Sequence, residues 1–130
     1  MNKEDKELLL KDLCARLPYG VKVQINSDVK KVVGVKNGFV VTKERGLFST
    51  KECITRIECC RPYLRPISSM TEEELKDLGK IDERRWIFSS RHLTYHLDGE
   101  VIDYFNKKML DWRSLVPNKL ANEAPEGMYE

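Results

Sequence analysis

The sequence predicts an α+β fold in which helices flank a small, strongly bent antiparallel sheet. Three observations predict it. Asn37-Gly38 separates two β-branched runs, Val32-Val33-Gly34-Val35-Lys36 and Phe39-Val40-Val41-Thr42. A two-residue type I′ turn requires positive φ at both central residues, which Asn and Gly tolerate. Leu9, Leu13 and Leu17 recur every fourth residue ahead of this hairpin, and Val101, Phe105 and Met109 do so well after it. That is the spacing of a helical stripe.

Residues 1–18 read as the first helix, with Leu10 and Cys14 beside the leucine stripe and Lys6, Lys11, Asp12 and Arg16 mostly outside it. Pro18 ends it, because the residue before a proline is pushed out of the helical region. Residues 19–66 read as the sheet. Val21, Val23 and Ile25 alternate with Lys22, Gln24 and Asn26, the pattern of a half-buried strand. Asn26-Ser27-Asp28 turns the chain into the hairpin, and Gly34 within its first arm suggests a bulge. A short strand is expected near Leu47–Thr50. A last one is expected from Cys53, where Thr55, Ile57 and Cys59 alternate with Arg56 and Glu58 and Ile54 breaks the pattern. So many short strands in so few residues suit either an open bent sheet or a small barrel of the SH3-like kind.

Pro62-Tyr63-Leu64-Arg65-Pro66 reads as an extended connector. Residues 67–122 are expected to be mainly helical. Ser69 with Glu72, and Thr71 with Glu74, each have the spacing of a capping box, followed by a helix to about Leu78 with Gly79 as its stop. A strand near 92–97 is an expectation from Leu93, Tyr95 and Leu97. The clearest C-terminal helix is expected from Glu100 to about Asp111, with residues 123–130 as an irregular tail.

One domain suffices for 130 residues, a length that buries roughly two-thirds of the unfolded surface. No apolar run approaches a membrane span of about 20 residues, and Leu8-Leu9-Leu10 is too short for a signal-peptide core. A cytoplasmic protein is expected, with Cys14, Cys53, Cys59 and Cys60 as reduced thiols. Adjacent Cys59-Cys60 lacks the spacer that lets neighbouring thiolates share zinc. His92 and His96 stand four apart without a third ligand in sequence, and the seven glycines form no phosphate loop. No catalytic residue, metal or cofactor is therefore expected.

Charge is asymmetric beneath a net +2: residues 1–66 carry fourteen Lys/Arg against eight Asp/Glu, and the remainder nine against thirteen. Lys30, Lys31, Lys36, Lys43 and Arg45 cluster on or near the hairpin, where Phe39 or Phe48 could stack a base; the same lysines would also protect a sheet edge from aggregation. Asp111-Trp112-Arg113 is a second candidate, since Trp and Arg are enriched at binding hot spots, with a structural corner as its plain alternative. The expected function is a non-enzymatic interaction module acting on a protein partner or its own copies. The alternative is a nucleic-acid-binding accessory factor working through the basic hairpin; a membrane partner is not expected.

Three phrases carry a resemblance. Asp12-Leu13-Cys14-Ala15-Arg16-Leu17-Pro18-Tyr19-Gly20-Val21-Lys22-Val23 is the first. The second is Arg61-Pro62-Tyr63-Leu64-Arg65-Pro66 leading to Ser68-Ser69-Met70-Thr71-Glu72-Glu73-Glu74, and the third Glu123-Ala124-Pro125-Glu126-Gly127-Met128-Tyr129. Together they resemble a group of small uncharacterised proteins of gut bacteria and their prophages. In that group Asp-Tyr-Arg-Gly-Leu precedes the tail, where this chain has Asp111-Trp112-Arg113-Ser114-Leu115. The resemblance implies a cytoplasmic, phage-derived accessory protein and brings no activity with it.

Overall fold

The computed structural model describes residues 1–45, 50–81, 87–88, 93–94 and 99–129. Helix α1 spans Lys3–Arg16, opened by Asn2, whose side chain accepts from the Asp5 backbone N–H at 2.7 Å. Glu4 and Asp5 in the first turn and Arg16 in the last suit the helix dipole. A 3-10 turn at Leu17–Tyr19 follows, and Gly20 closes it in the left-handed region at φ 81°.

Strands β1 (Lys22–Ile25), β2 (Asp28–Lys36), β3 (Phe39–Arg45), β4 (Thr50–Arg56) and β5 (Cys60–Leu64) follow, and two more, β6 (Ile87–Phe88) and β7 (Leu93–Thr94), form a separate short ladder. A last strand, β8 (Asn122–Glu123), joins the main sheet, whose order is β4-β3-β2-β1-β5-β8. Every pairing in it is antiparallel except β5 with β8. The sheet is thus mixed and open, so of the two sequence alternatives the barrel is not the one formed. Its described edges are β4 and β8, held apart by the four strands between them.

The hairpin forms where the sequence predicts it: Lys36 pairs with Phe39 across Asn37 (φ 49°) and Gly38 (φ 80°). The ladder slips by one residue between Val32 and Gly34, so the bulge predicted at Gly34 is present. Residues 28–31 of β2 pair with β1 on one edge, and residues 32–36 with β3 on the other.

Several boundaries differ from the sequence reading. The strand expected from Cys53 begins earlier, at Thr50 in β4, and stops at Arg56, because Ile57–Cys59 forms a 3-10 turn. Of the strand expected near Leu47–Thr50 only Thr50 lies among the described residues, and of that near 92–97 only Leu93 and Thr94. Cys60–Leu64 is a strand rather than a connector, because proline's fixed φ fits extended backbone and β8 pairs only with Tyr63 and Leu64, beyond Pro62. The second helix, α2, spans Glu72–Ile81 and passes through Gly79. The third, α3, spans Gly99–Lys107. It ends early because Met109 turns left-handed (φ 57°) and Leu110 leaves to form a parallel bridge with Arg65. Arg65 N–H donates to the Met109 carbonyl at 2.7 Å, and Asp111 N–H to the Arg65 carbonyl at 2.8 Å.

Two apolar clusters hold the layers together. In the first, Leu9 and Leu13 of α1 pack on Val23, Ile25, Val32 and Val40, closed by Met109, Leu115, Leu120 and Ala121. The second joins Leu78 of α2 to Val101, Tyr104 and Phe105 of α3 and to Leu110. One face of the sheet is therefore covered by α1, and strand alternation sends the intervening residues to the opposite, outer face.

The stripe reading of α1 needs correction. Asp12 and Arg16 are fully buried beside Leu9 and Leu13, whereas Cys14 is exposed. Arg16 Nε donates to Asp12 Oδ2 at 2.8 Å and Arg16 Nη2 to the Leu110 carbonyl at 2.7 Å. A long-range carbonyl thus draws the polar flank of the helix inward.

Candidate functional site

The outer face of the sheet is built by register. Lys36, Phe39 and Arg56 lie side by side on one rung of β2, β3 and β4, and directly opposed side chains in such ladders are about 5 Å apart. The next rung is Gly34, Val41 and Ile54, and beyond it Lys43 faces Glu52. Toward β1 and β5 the same face continues with Lys31, opposite Lys22, and with Arg61, opposite Gln24. Lys31, Lys36, Lys43, Arg56 and Arg61 are all exposed. Glu52 is the one carboxylate that alternation places among them on the described strands. Phe39 remains 38% exposed and Ile54 62%.

The sequence candidates divide on this face. Lys31, Lys36 and Lys43 share it. Lys30 lies opposite Val23, on the α1 side, where its amine binds Glu44. That ion pair raises the lysine pKa and lowers the glutamate's. Arg45 closes β3 opposite Thr50. Phe48 lies outside the described residues. Arg56 and Arg61 are additions that sequence reasoning missed, although parity held the signal. Ile54, taken as a break in the alternation, belongs with Arg56 on the outer face.

Asp111, Trp112 and Arg113 are brought together at a corner of the chain. The Asp111 carboxylate accepts from the Leu115 N–H at 2.8 Å and the Val116 N–H at 2.9 Å, which fixes the turn after α3. The Trp112 indole N–H donates to Asn106 Oδ1 at 3.0 Å, and the Arg113 guanidinium lies 4.2 Å over the Trp112 ring. Arg113 Nη1 is 3.7 Å from Asp12 Oδ1. Burial lowers the Arg113 pKa, partly offset by Asp12. All three side chains are buried or half-buried and engaged within the fold.

A third feature is a cleft of about 750 Å³ between the turns around Arg65 and the segment Glu123–Tyr129. Its cations, Arg65, Lys107 and Lys108, are matched by Glu74, Glu123 and Glu126. Arg65 grips Glu74 through two bonds of 2.9 and 2.7 Å. That grip, with the Thr71 N–H, holds the Glu74 carboxyl down at about 2 despite burial. Thr71 and Glu74 complete the capping box the sequence predicts.

Among the described residues no group of three or more His, Cys, Asp or Glu side chains is placed to hold a metal ion; His92 and His96 lie outside them. The four cysteines are free, and burial pushes the Cys60 thiol up to about 11, so it stays protonated and unreactive at neutral pH. Among the described residues no helix is long and apolar enough to cross a membrane. Comparison of the chain with protein-family models, with curated proteins and with solved structures yields no match.

Proposed function

We propose that this protein is a non-enzymatic binding module whose working surface is the outer face of the sheet, and that its occupant is single-stranded nucleic acid. The observation that carries the reading is the rung Lys36–Phe39–Arg56, an exposed aromatic ring flanked on both sides by cations. Sequence-tolerant binding of single strands uses this combination, with a base on the aromatic face and phosphates on the flanking charges. Lys31, Lys43 and Arg61 extend the positive path across the sheet. The cleft near Arg65 suits a polyanion less, because its charges are balanced. A cytoplasmic, phage-derived accessory role accords with this reading and with the resemblance of the three phrases.

The test is fluorescence anisotropy with labelled oligo(dT) and oligo(U). Binding is expected at low salt and should weaken as salt rises, with log K falling by about 0.7 per log unit of salt for each phosphate neutralised. Phe39→Ala is expected to weaken binding by about five- to a hundredfold, the value of one stacked base. Absence of binding to either oligonucleotide at low salt would leave the protein-partner reading in its place.

A further inference from the structure

The edge of β4 that no described strand pairs with points to a second copy of this chain, and we propose that two copies join there by antiparallel pairing centred on Ile54. β4 is seven residues long, Thr50–Arg56, and contains no proline. No described strand pairs with its outward side. Such an edge presents unpaired N–H and C=O groups to any strand that can match it, and here the strand matches itself. On the outer face β4 shows Glu52, Ile54 and Arg56. With Ile54 opposite its own copy, Glu52 faces Arg56 of the second chain, and the two-fold axis repeats that pair. On the covered face Cys53 then meets Thr55.

Other registers that keep both sheets facing the same way lose this match. Centring on Glu52 or on Arg56 opposes like charges, and centring on Cys53 or Thr55 leaves Ile54 against a charged side chain. Like charges directly opposite on neighbouring strands destabilise a ladder. The Ile54 register alone removes from water the most exposed large apolar side chain among the described residues of the outer face (62% exposed) while pairing the charges beside it. The product is one continuous sheet, in which the cationic outer faces of two copies run together. This assembly does not depend on whether that face binds nucleic acid.

Sedimentation equilibrium on the full chain, combined with charge exchange, tests it. Wild-type protein is expected to dimerise. Glu52→Arg and Arg56→Glu should each raise the dimer dissociation constant at least about tenfold, and the double variant E52R/R56E should restore it. Ile54→Cys in a Cys53→Ser background should form a 54–54 disulfide under mild oxidation. Opposed Cα atoms in an antiparallel pair lie about 4.5–5.5 Å apart, within disulfide reach. A wild-type chain that stays monomeric to about millimolar concentration (a weak-binding Kd), a dimer indifferent to either reversal, or one that the double variant fails to restore would each overturn the proposal. Because all three readouts omit nucleic acid, their failure is separate from failure of the oligonucleotide test.

Discussion

The Tyr129 hydroxyl donates to the Tyr63 carbonyl at 2.6 Å, across 66 residues of sequence. It also accepts the Lys22 backbone N–H at 3.1 Å. The β1–β5 register stops at Val23 and Pro62, so the phenol bridges the two strands where the ladder opens. Lys22 Nζ completes the dock by donating to the Met128 carbonyl at 3.0 Å. Met128 and Tyr129 are in this way docked against β1 and β5.

Tyr129→Phe is therefore expected to leave a part-buried N–H and carbonyl without their partner, at a cost of about 1 kcal/mol. Limited proteolysis should then cut within 124–129 faster than in wild type, with the rest of the chain unchanged. Burial raises the Tyr129 pKa from 10.0 to about 12. Its contribution is full below 10.0 and is lost as the pH rises through about 12, so alkaline solution should release the tail in the wild type.

Asp12 sits between two arginines, and its removal would strand them. Asp12→Asn is expected to destabilise the fold by about 3–5 kcal/mol, the cost of leaving a buried charge uncompensated. The paired replacement Asp12→Leu with Arg16→Met removes the fully buried pair and leaves the half-buried Arg113 alone, so it should cost less than the sum of Asp12→Leu and Arg16→Met made singly. Urea denaturation of the three variants measures this as a non-additive cycle.

Glu74 gives acid sensitivity. Its pKa is depressed from 4.5 to about 2 by Arg65, so its contribution is present above pH 4.5 and is lost as the pH falls toward 2. With allowance for its partial contact with solvent, the loss is about 1–2 kcal/mol. Glu74→Gln should be less stable than wild type at pH 7, and the difference should shrink between pH 4.5 and pH 2 in thermal melts.

Gly38 occupies the left-handed region at φ 80°, and a Cβ there would meet nothing within 4 Å. Gly38→Ala therefore isolates the backbone term, and a loss of about 1–2 kcal/mol is expected. Gly34 has an ordinary φ, and an added Cβ would lie 3.7 Å from the Val41 Cβ. Gly34→Ala is accordingly expected to be neutral or slightly stabilising, which a pair of melting curves would compare.

The elements dictated by local chemistry were legible in the sequence: the α1 leucine stripe, the Asn37-Gly38 turn, the Gly34 bulge and the Thr71–Glu74 cap. What could not be read depends on groups far apart in the chain. The burial of Arg16 is set by Leu110, 94 residues on, and nothing in a helical stripe reports that partner. Strand β8 forms because β5 offers it an edge, and no periodicity in two residues could announce it. On the candidate surface the sequence groups Lys31, Lys36 and Lys43 with Lys30, whose strand parity differs. Arg56 is hidden in the sequence because the outward Ile54 resembles an interruption of the alternation.

The proposed occupant, a single strand, is placed on the outer sheet face rather than in the Arg65 cleft. Backbone amide shifts recorded by NMR during titration with unlabelled oligo(dT) at low salt separate the two locations. Perturbations centred on Lys36, Phe39, Lys43 and Arg56 are predicted. Perturbations confined to Arg65, Lys107 and Lys108, or none at all, would contradict that placement.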